Sequence, residues 1–434
     1  MNKIKETINF HYTRTNRNTL GLMIRIIQSI IAAISGVIIV HSFGLLIHQL
    51  QNFQRDLFGF LPLWAVLGGI VVVLVIYKIS PDSKKEGGID YIRTTKNPDG
   101  KFFLKSTIFK YWAALFTLGT FGNGGIVAPV GRVSAGINCV IEDKFNSIYK
   151  FDIKIGAISG FAAAIGTIFH TPIAGGFFAV EILEKSNMKY RYLFPALLSS
   201  AFAVYISRSL GLPAFYQFEI PLQEIPYNIY FYVILIGLVT GAVGRWYNLL
   251  YRYIANFVER SRDNKILLEV IIGTSIVATL AFFINPDLMG TSNRLIYQLT
   301  NDVESIHGNL PESMNLIGIL VIFMIVKIIA NCVTVGTGLS AGFTGPIIIV
   351  GMIIGVIFST LFGIEYYSSE FYALICAGFT GMLASSMNIP IAGMILSVEL
   401  FGYNYVIVGI VATIIAYKFN DYNSLFEYNS SSDD

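Results

Sequence analysis

Residues 327–346 read Lys327-Ile-Ile-Ala-Asn-Cys-Val-Thr-Val-Gly-Thr-Gly-Leu-Ser-Ala-Gly-Phe-Thr-Gly-Pro346, and from Ile328 to Ile364 the chain carries no Asp, Glu, Lys or Arg. A helix needs roughly 20 apolar residues to cross a bilayer core, so this run of 37 is too long for one crossing. Gly336, Gly338, Gly342, Gly345 and Pro346 crowd its first half. Proline has no amide hydrogen and collides with the preceding turn, so it fits the first turn of a helix and not its middle. The stretch therefore predicts one helix ending near Gly336 and another beginning near Pro346, with the break inside the apolar run.

The same composition extends outward. Of 434 residues, 54% are hydrophobic and 13% are charged, about half the charged share of an ordinary soluble domain. A soluble fold with that balance would expose large oily patches. Charge-free stretches recur at Ile26–Gln54, Leu57–Tyr77, Tyr111–Gly131, Ile155–Val180, Ile225–Gly244, Val270–Pro286, Phe371–Val398 and Leu400–Tyr417. They lack the alternation of a lipid-facing strand, so the chain reads as an all-α polytopic membrane protein. The net charge of +3 is too small to suggest nucleic acid. Its positive residues are placed: Lys3, Lys5, Arg14 and Arg17 precede the first apolar run, and Lys84, Lys85, Arg93, Lys96, Lys101 and Lys105 follow the second. The positive-inside rule puts both segments in the cytoplasm. The polar start predicts no cleaved signal peptide. Cys139, Cys332 and Cys376 lie in or beside apolar segments without metal-like spacing and read as buried thiols.

The opening stretch has a partner. Lys110-Tyr-Trp-Ala-Ala-Leu-Phe-Thr-Leu-Gly-Thr-Phe-Gly-Asn-Gly-Gly-Ile-Val-Ala-Pro129 stands 217 residues earlier and shares its Lys, Ala, Thr, Gly-Thr, later Gly and Pro. At an offset of 218, Gly160-Phe161 meets Gly378-Phe379, and Pro172-Ile-Ala-Gly with Glu181 meets Pro390-Ile-Ala-Gly with Glu399. The chain is an internal duplication: residues 1–20 form an N-terminal cytoplasmic segment, 21–215 a first transmembrane repeat, 216–420 a second, and 421–434 a short cytoplasmic tail. Transporters built from repeats place their binding sites at the repeat interface, where helices are interrupted. A helix beginning inside the membrane presents unpaired N–H groups and about half a positive charge, which suits an anion without any lysine. Glycines upstream allow close approach of the backbone. The starts at Ile126–Pro129 and Phe343–Pro346 are thus expected to converge on one small anion. Taken singly, these glycines also suit tight packing of membrane helices.

In their order and spacing, Thr117-Leu-Gly with Ala128-Pro129, Gly156 with Gly160-Phe-Ala-Ala-Ala, Pro172-Ile-Ala-Gly with Glu181, Gly338 with Gly342-Phe-Thr-Gly-Pro346, and Pro390-Ile-Ala-Gly with Glu399 resemble the CLC chloride channels and chloride/proton antiporters. The resemblance runs from about residue 20 to the C-terminus. It implies a CLC-type inverted repeat of tilted, partly broken helices, a homodimer with one pore per subunit, and chloride or another small inorganic anion as cargo, with no further cofactor. It also implies a multi-pass protein of the plasma (inner) membrane with both termini cytoplasmic. Many members carry a nucleotide-binding tail; this sequence stops at Asp434, and that tail is not expected.

The residues that carry chemistry in the family are mostly replaced. Where the family has an anion-binding serine in Gly-Ser-Gly-Ile-Pro, ungapped counting gives Lys85-Glu86-Gly87-Gly88-Ile89, so Glu86 takes the serine's place. The motif that carries the gate glutamate reads Gly125-Ile126-Val127-Ala128-Pro129, with Val127 at the glutamate. The inner proton glutamate that follows the position of Glu181 becomes Ile182. The third motif is Gly342-Phe343-Thr344-Gly345-Pro346, with Thr344 where an aromatic usually stands, and the pore tyrosine near the C-terminus becomes Phe426. The expected anion pathway thus comprises Glu86, Gly87, Gly125, Ile126, Val127, Ala128, Gly342, Phe343, Thr344, Gly345 and Phe426. Valine and isoleucine carry no protons, so passive or proton-uncoupled conduction is expected.

Two readings of Glu86 stand side by side: a turn into the basic loop beside Lys84 and Lys85, or a replacement gate at the anion site, where a carboxylate repels the anion and attracts a proton. Glu181 and Glu399 are expected to satisfy neighbouring helix ends, Lys110 to snorkel or to add positive potential, Arg132 to pair across the subunit, and His170 to be scaffold. Three rivals remain: the same fold carrying fluoride or nitrate, or coupled through Glu86; a non-conducting CLC-like scaffold; and a membrane enzyme. An enzyme would need a nucleophile with its base, or two aspartates, at membrane depth. Ser134, Ser340 and the five histidines offer no such arrangement.

Overall fold

The computed structural model describes residues 2–58, 61–84, 86–97, 100–145, 152–183, 188–218, 220–221, 224–260, 266–307, 309–311, 313–420 and 424–427, with side chains from residue 21 onward except at 55, 58, 61, 62, 75, 145 and 427. The basic side chains of residues 3–17, Lys85, and the tail apart from 424–427 lie outside the described residues. Regular structure is helical: α1 (Asn2–Phe58), α2 (Leu61–Val71), α3 (Tyr77–Ile79), α4 (Gly87–Lys96), α5 (Leu104–Gly119), α6 (Val127–Phe145), α7 (Lys154–Phe169), α8 (Pro172–Glu181) and α9 (Tyr190–Ser209). After these come α10 (Ile229–Arg260), α11 (Ile266–Ile284), α12 (Asn293–Asn301), α13 (Leu316–Gly336), α14 (Thr344–Leu361), α15 (Ser369–Met387), α16 (Pro390–Phe401) and α17 (Val406–Phe419). Five of the described helices are long and apolar enough to cross a membrane. α1 continues unbroken through residue 20, so the polar N-terminal segment is the first part of a helix.

The long apolar run breaks where its glycines and proline demand. α13 ends at Gly336 and α14 begins at Thr344, with Pro346 in its first turn. α6 holds Pro129 the same way, and Pro172 and Pro390 are the first residues of α8 and α16.

Two helices form the centre of the molecule. Every residue of α7 from Ile155 to Phe169, and every residue of α15 from Phe371 to Met387, is buried. A helix apolar all round has no face to give to water, which is why both lie inside. They are repeat counterparts and dock alike: a Cβ on Gly160 of α7 would lie 2.4 Å from Ser134 O of α6, and one on Gly378 of α15 would lie 1.9 Å from Gly351 O of α14. Any larger residue at either position would force the helix pair apart. Cys139, Cys332 and Cys376 are buried free thiols, as expected.

The repeats also clasp each other. The Glu181 carboxylate accepts from the amides of Ile391 and Ala392 at the start of α16, at 2.8 and 2.7 Å. The Glu399 carboxylate accepts from Ile173 and Ala174 at the start of α8, at 2.9 and 2.8 Å. Proline at the first position of each helix leaves the next two amides for a carboxylate, and the helix dipole favours negative charge there. Both glutamates are structural, as their symmetric places in the sequence led us to expect.

Candidate anion pathway

The broken helices of the two repeats meet. The Gly125 amide donates to Gly342 O at 2.8 Å, and the Gly342 amide donates to Gly125 O at 2.9 Å, a two-bond antiparallel bridge immediately before α6 and α14. Only glycine permits it: a Cβ on Gly125 would lie 2.5 Å from the Gly345 amide, and one on Gly342 would lie 2.8 Å from Gly125 O. Asn331 of α13 locks the junction by donating to Asn123 O at 3.2 Å and Gly342 O at 3.3 Å, while its Oδ1 takes the Tyr247 hydroxyl. Within each helix the first amide bonded back is that of Val130, to Ile126 O, or of Ile347, to Phe343 O. The amides ahead of them belong to the helix starts, where backbone N–H groups have no intrahelical acceptor.

A third helix start joins them. The backbone of Gly87 packs on Ala128, where an added Cβ would fall 2.4 Å from Ala128 O. Gly88 faces the Phe426 ring, whose Cε1 would lie 2.7 Å from an added Cβ. Phe426, in the 3₁₀ turn Leu425–Glu427, meets Phe343 edge to face at 6.2 Å between ring centroids. Residues from four distant parts of the sequence, at 86–89, 125–129, 342–346 and 426, therefore surround one point. All eleven residues expected there are buried, including Val127, Phe343 and Thr344 at 0% exposure. The junction as folded is closed to solvent.

Glu86 does not take the first of its two readings. Its carboxylate does not turn out into the basic loop; the residue is 2% exposed. Oε2 accepts from the Ile89 amide at 2.7 Å and so caps α4, while Oε1 is buried without a hydrogen-bond partner among the described residues. A carboxylate on the open amides of a helix start is chemically an anion tethered to the chain. Thr344 adds a second unsatisfied group: its hydroxyl, on the first residue of α14, is buried with no partner among the described residues.

The structure also places the other singled-out polar residues. Arg132 pairs within its own chain: Nε meets Asp90, and the guanidinium also donates to Thr107 Oγ1 at 2.8 Å and Ser106 Oγ at 3.1 Å. Lys110 neither snorkels nor reaches water; it is fully buried and donates to Ser83 O at 3.3 Å. His170 hydrogen-bonds Ser207 at 3.0 Å, a scaffold role. Lys327, the repeat partner of Lys110, is likewise fully buried.

Residues 68–421 match the family described as voltage gated chloride channel. The chain belongs to this family. Its members are anion channels and transporters and not enzymes, and this chain is an integral, multi-pass membrane protein of the CLC fold. An uncharacterised protein of Methanocaldococcus jannaschii is 25% identical over 415 residues, covering 95% of this chain and 98% of that one. A chloride/fluoride channel protein of Pseudomonas syringae pv. tomato is 22% identical over 306 residues, covering 69% of this chain and 64% of that one. Among solved structures, a CLC-type fluoride/proton antiporter superposes with a TM-score of 0.78 at 20% identity, covering 94% of this chain and 98% of that chain. A slow cyanobacterial chloride/proton antiporter superposes with a TM-score of 0.75 at 17% identity, covering 92% and 94%.

Proposed function

We propose that this CLC protein passes small inorganic anions, chloride first among them, down their gradient without moving protons, and that the Glu86 carboxylate is its gate. The observation that carries this reading is Glu86 itself, buried on the amides of α4 at the closed junction of three helix starts. An ionised carboxylate there holds the place of a permeating anion and repels one arriving. Protonation removes the charge, and displacement frees the amides. Val127 and Ile182 offer no second group to relay that proton across the membrane, so protons set the gate without being carried in step with the anion.

Binding then rests on the backbone amides at the starts of α4, α6 and α14, with the Thr344 hydroxyl as the side-chain donor that replaces hydroxyls missing at Glu86 and Phe426. The functional unit on this reading is a homodimer in the plasma membrane, with the basic segment 84–105 and both termini on the cytoplasmic side. The reading is tested by reconstituting the purified chain in liposomes and following chloride efflux from pH 5 to pH 8. Efflux should rise on acidification in the wild type and be high and pH-independent in Glu86→Gln. Unchanged pH dependence in Glu86→Gln would remove the gate, and no flux of chloride, fluoride or nitrate at any pH would favour a scaffold.

A further inference from the structure

Lys110 and Lys327 stand 217 residues apart at equivalent repeat positions, and both are 0% exposed. They make matching contacts. Lys110 donates to Ser83 O, in the turn leading into α4, at 3.3 Å. Lys327 donates to Leu288 O, in the turn leading into α12, at 3.0 Å, and to the hydroxyl of Ser292, which precedes α12. The two turns lie at opposite ends of α5. Ser83 sits beside Lys110 in its first half, whereas the 286–292 segment packs on its far end, where the Gly290 amide donates to Phe121 O.

The surroundings differ in charge. Lys110 has Asp90 and Glu86 as acidic neighbours, and Arg132 beside them. Among the described residues, Lys327 has neutral acceptors alone: a carbonyl and a hydroxyl. The acidic residue next along that turn, Asp287, is taken by Arg294 at 3.5 Å. A buried ammonium without a counter-charge is expensive to maintain.

Lys327 is linked to the pathway junction through shared partners. Leu288 O, which takes its ammonium, takes the Asn123 side-chain amide as well, at 2.6 Å. One helical turn further along α13, Asn331 holds both Asn123 O and Gly342 O. The Lys327–Asn331 stripe of α13 thus reaches the junction of α6 and α14 through Asn331, and the 286–292 segment that Lys327 holds lies at the end of α5 away from Lys101 and Lys105. We infer that Lys327 is a positioning residue for permeation, a fixed positive charge whose counter-ion is the anion entering that junction from the face opposite the basic loop. Lys110, already balanced by Glu86 and Asp90, instead biases the gate.

This rests on the proposed pathway, and the test separates the two. In liposomes with chloride varied on one side at a time, Lys327→Met should raise the half-saturating chloride concentration on one side by about tenfold, the size of an interaction between unit charges at intermediate dielectric. Lys327→Arg, which keeps the charge, should stay within about threefold of wild type, and Lys110→Met should shift the pH dependence and leave that concentration alone. A lysine that only ties the 286–292 turn would lower protein yield or maximal rate without a sided change in half-saturation. Equal effects of Met and Arg at Lys327, or none from Met while the wild type conducts, overturn the inference and leave the pathway standing. A wild type that passes no anion overturns both. Should Lys327→Met fail to fold, Lys327→Gln carries the same comparison.

Discussion

At residue scale the argument turns on which group sits on each helix start. Glu86→Gln preserves an oxygen for the Ile89 amide and removes only the charge, so neutral-pH chloride flux should rise on the order of tenfold, the equivalent of about 1.4 kcal/mol. Thr344→Val keeps the shape and deletes the buried hydroxyl; losing a hydrogen bond to an anion, worth about 1.5–3 kcal/mol, should weaken chloride binding roughly ten- to a hundredfold in a half-saturation measurement. Phe426→Tyr should act oppositely and tighten it severalfold, by offering the anion a hydroxyl. The junction's glycines and prolines could be read in the sequence because their chemistry is that of the backbone. The cap at Glu86 could not, because a carboxylate beside Lys84 and Lys85 reads as solvated until its partner, an amide three residues on, is known. Arg132 was misplaced for the same reason, since Asp90, Ser106 and Thr107 gather only through the packing of α4 and α5 on α6.

At the scale of elements, the reciprocal caps tie the halves together: Glu181 holds α16 and Glu399 holds α8. Glu181→Ala should lower stability by about 2–4 kcal/mol, since two buried amides lose a charged acceptor, and Glu399→Ala should do likewise with a smaller loss on its more exposed side. Thermal unfolding in detergent would show both. Gly125→Ala is the corresponding test of the junction. Its Cβ meets the Gly345 amide at 2.5 Å, so the bridge to Gly342 must open. Anion flux should be lost even if the folded protein can still be purified. Helix ends and repeats were legible because proline position and residue spacing record them locally. The burial of α7 from Ile155 and of α15 from Phe371 follows from charge-free sequences, but which glycine meets which backbone, Gly160 on Ser134 and Gly378 on Gly351, is a property of the crossing.

For the molecule as a whole, two repeats bring three helix starts to one closed point, with a tethered carboxylate on one of them and a buried lysine on either side. On the proposed reading Val127 and Ile182 stand where the family has its proton carriers, while the architecture remains in the bridge, the caps and the paired central helices. Function on this reading is held by backbone amides and one movable charge. The most direct measurement is a reconstituted flux assay that records chloride and protons together under an imposed chloride gradient, at several pH values. The account predicts chloride movement that grows as pH falls, with no proton movement in fixed ratio to it. Uphill proton transport at a constant ratio to chloride would contradict it.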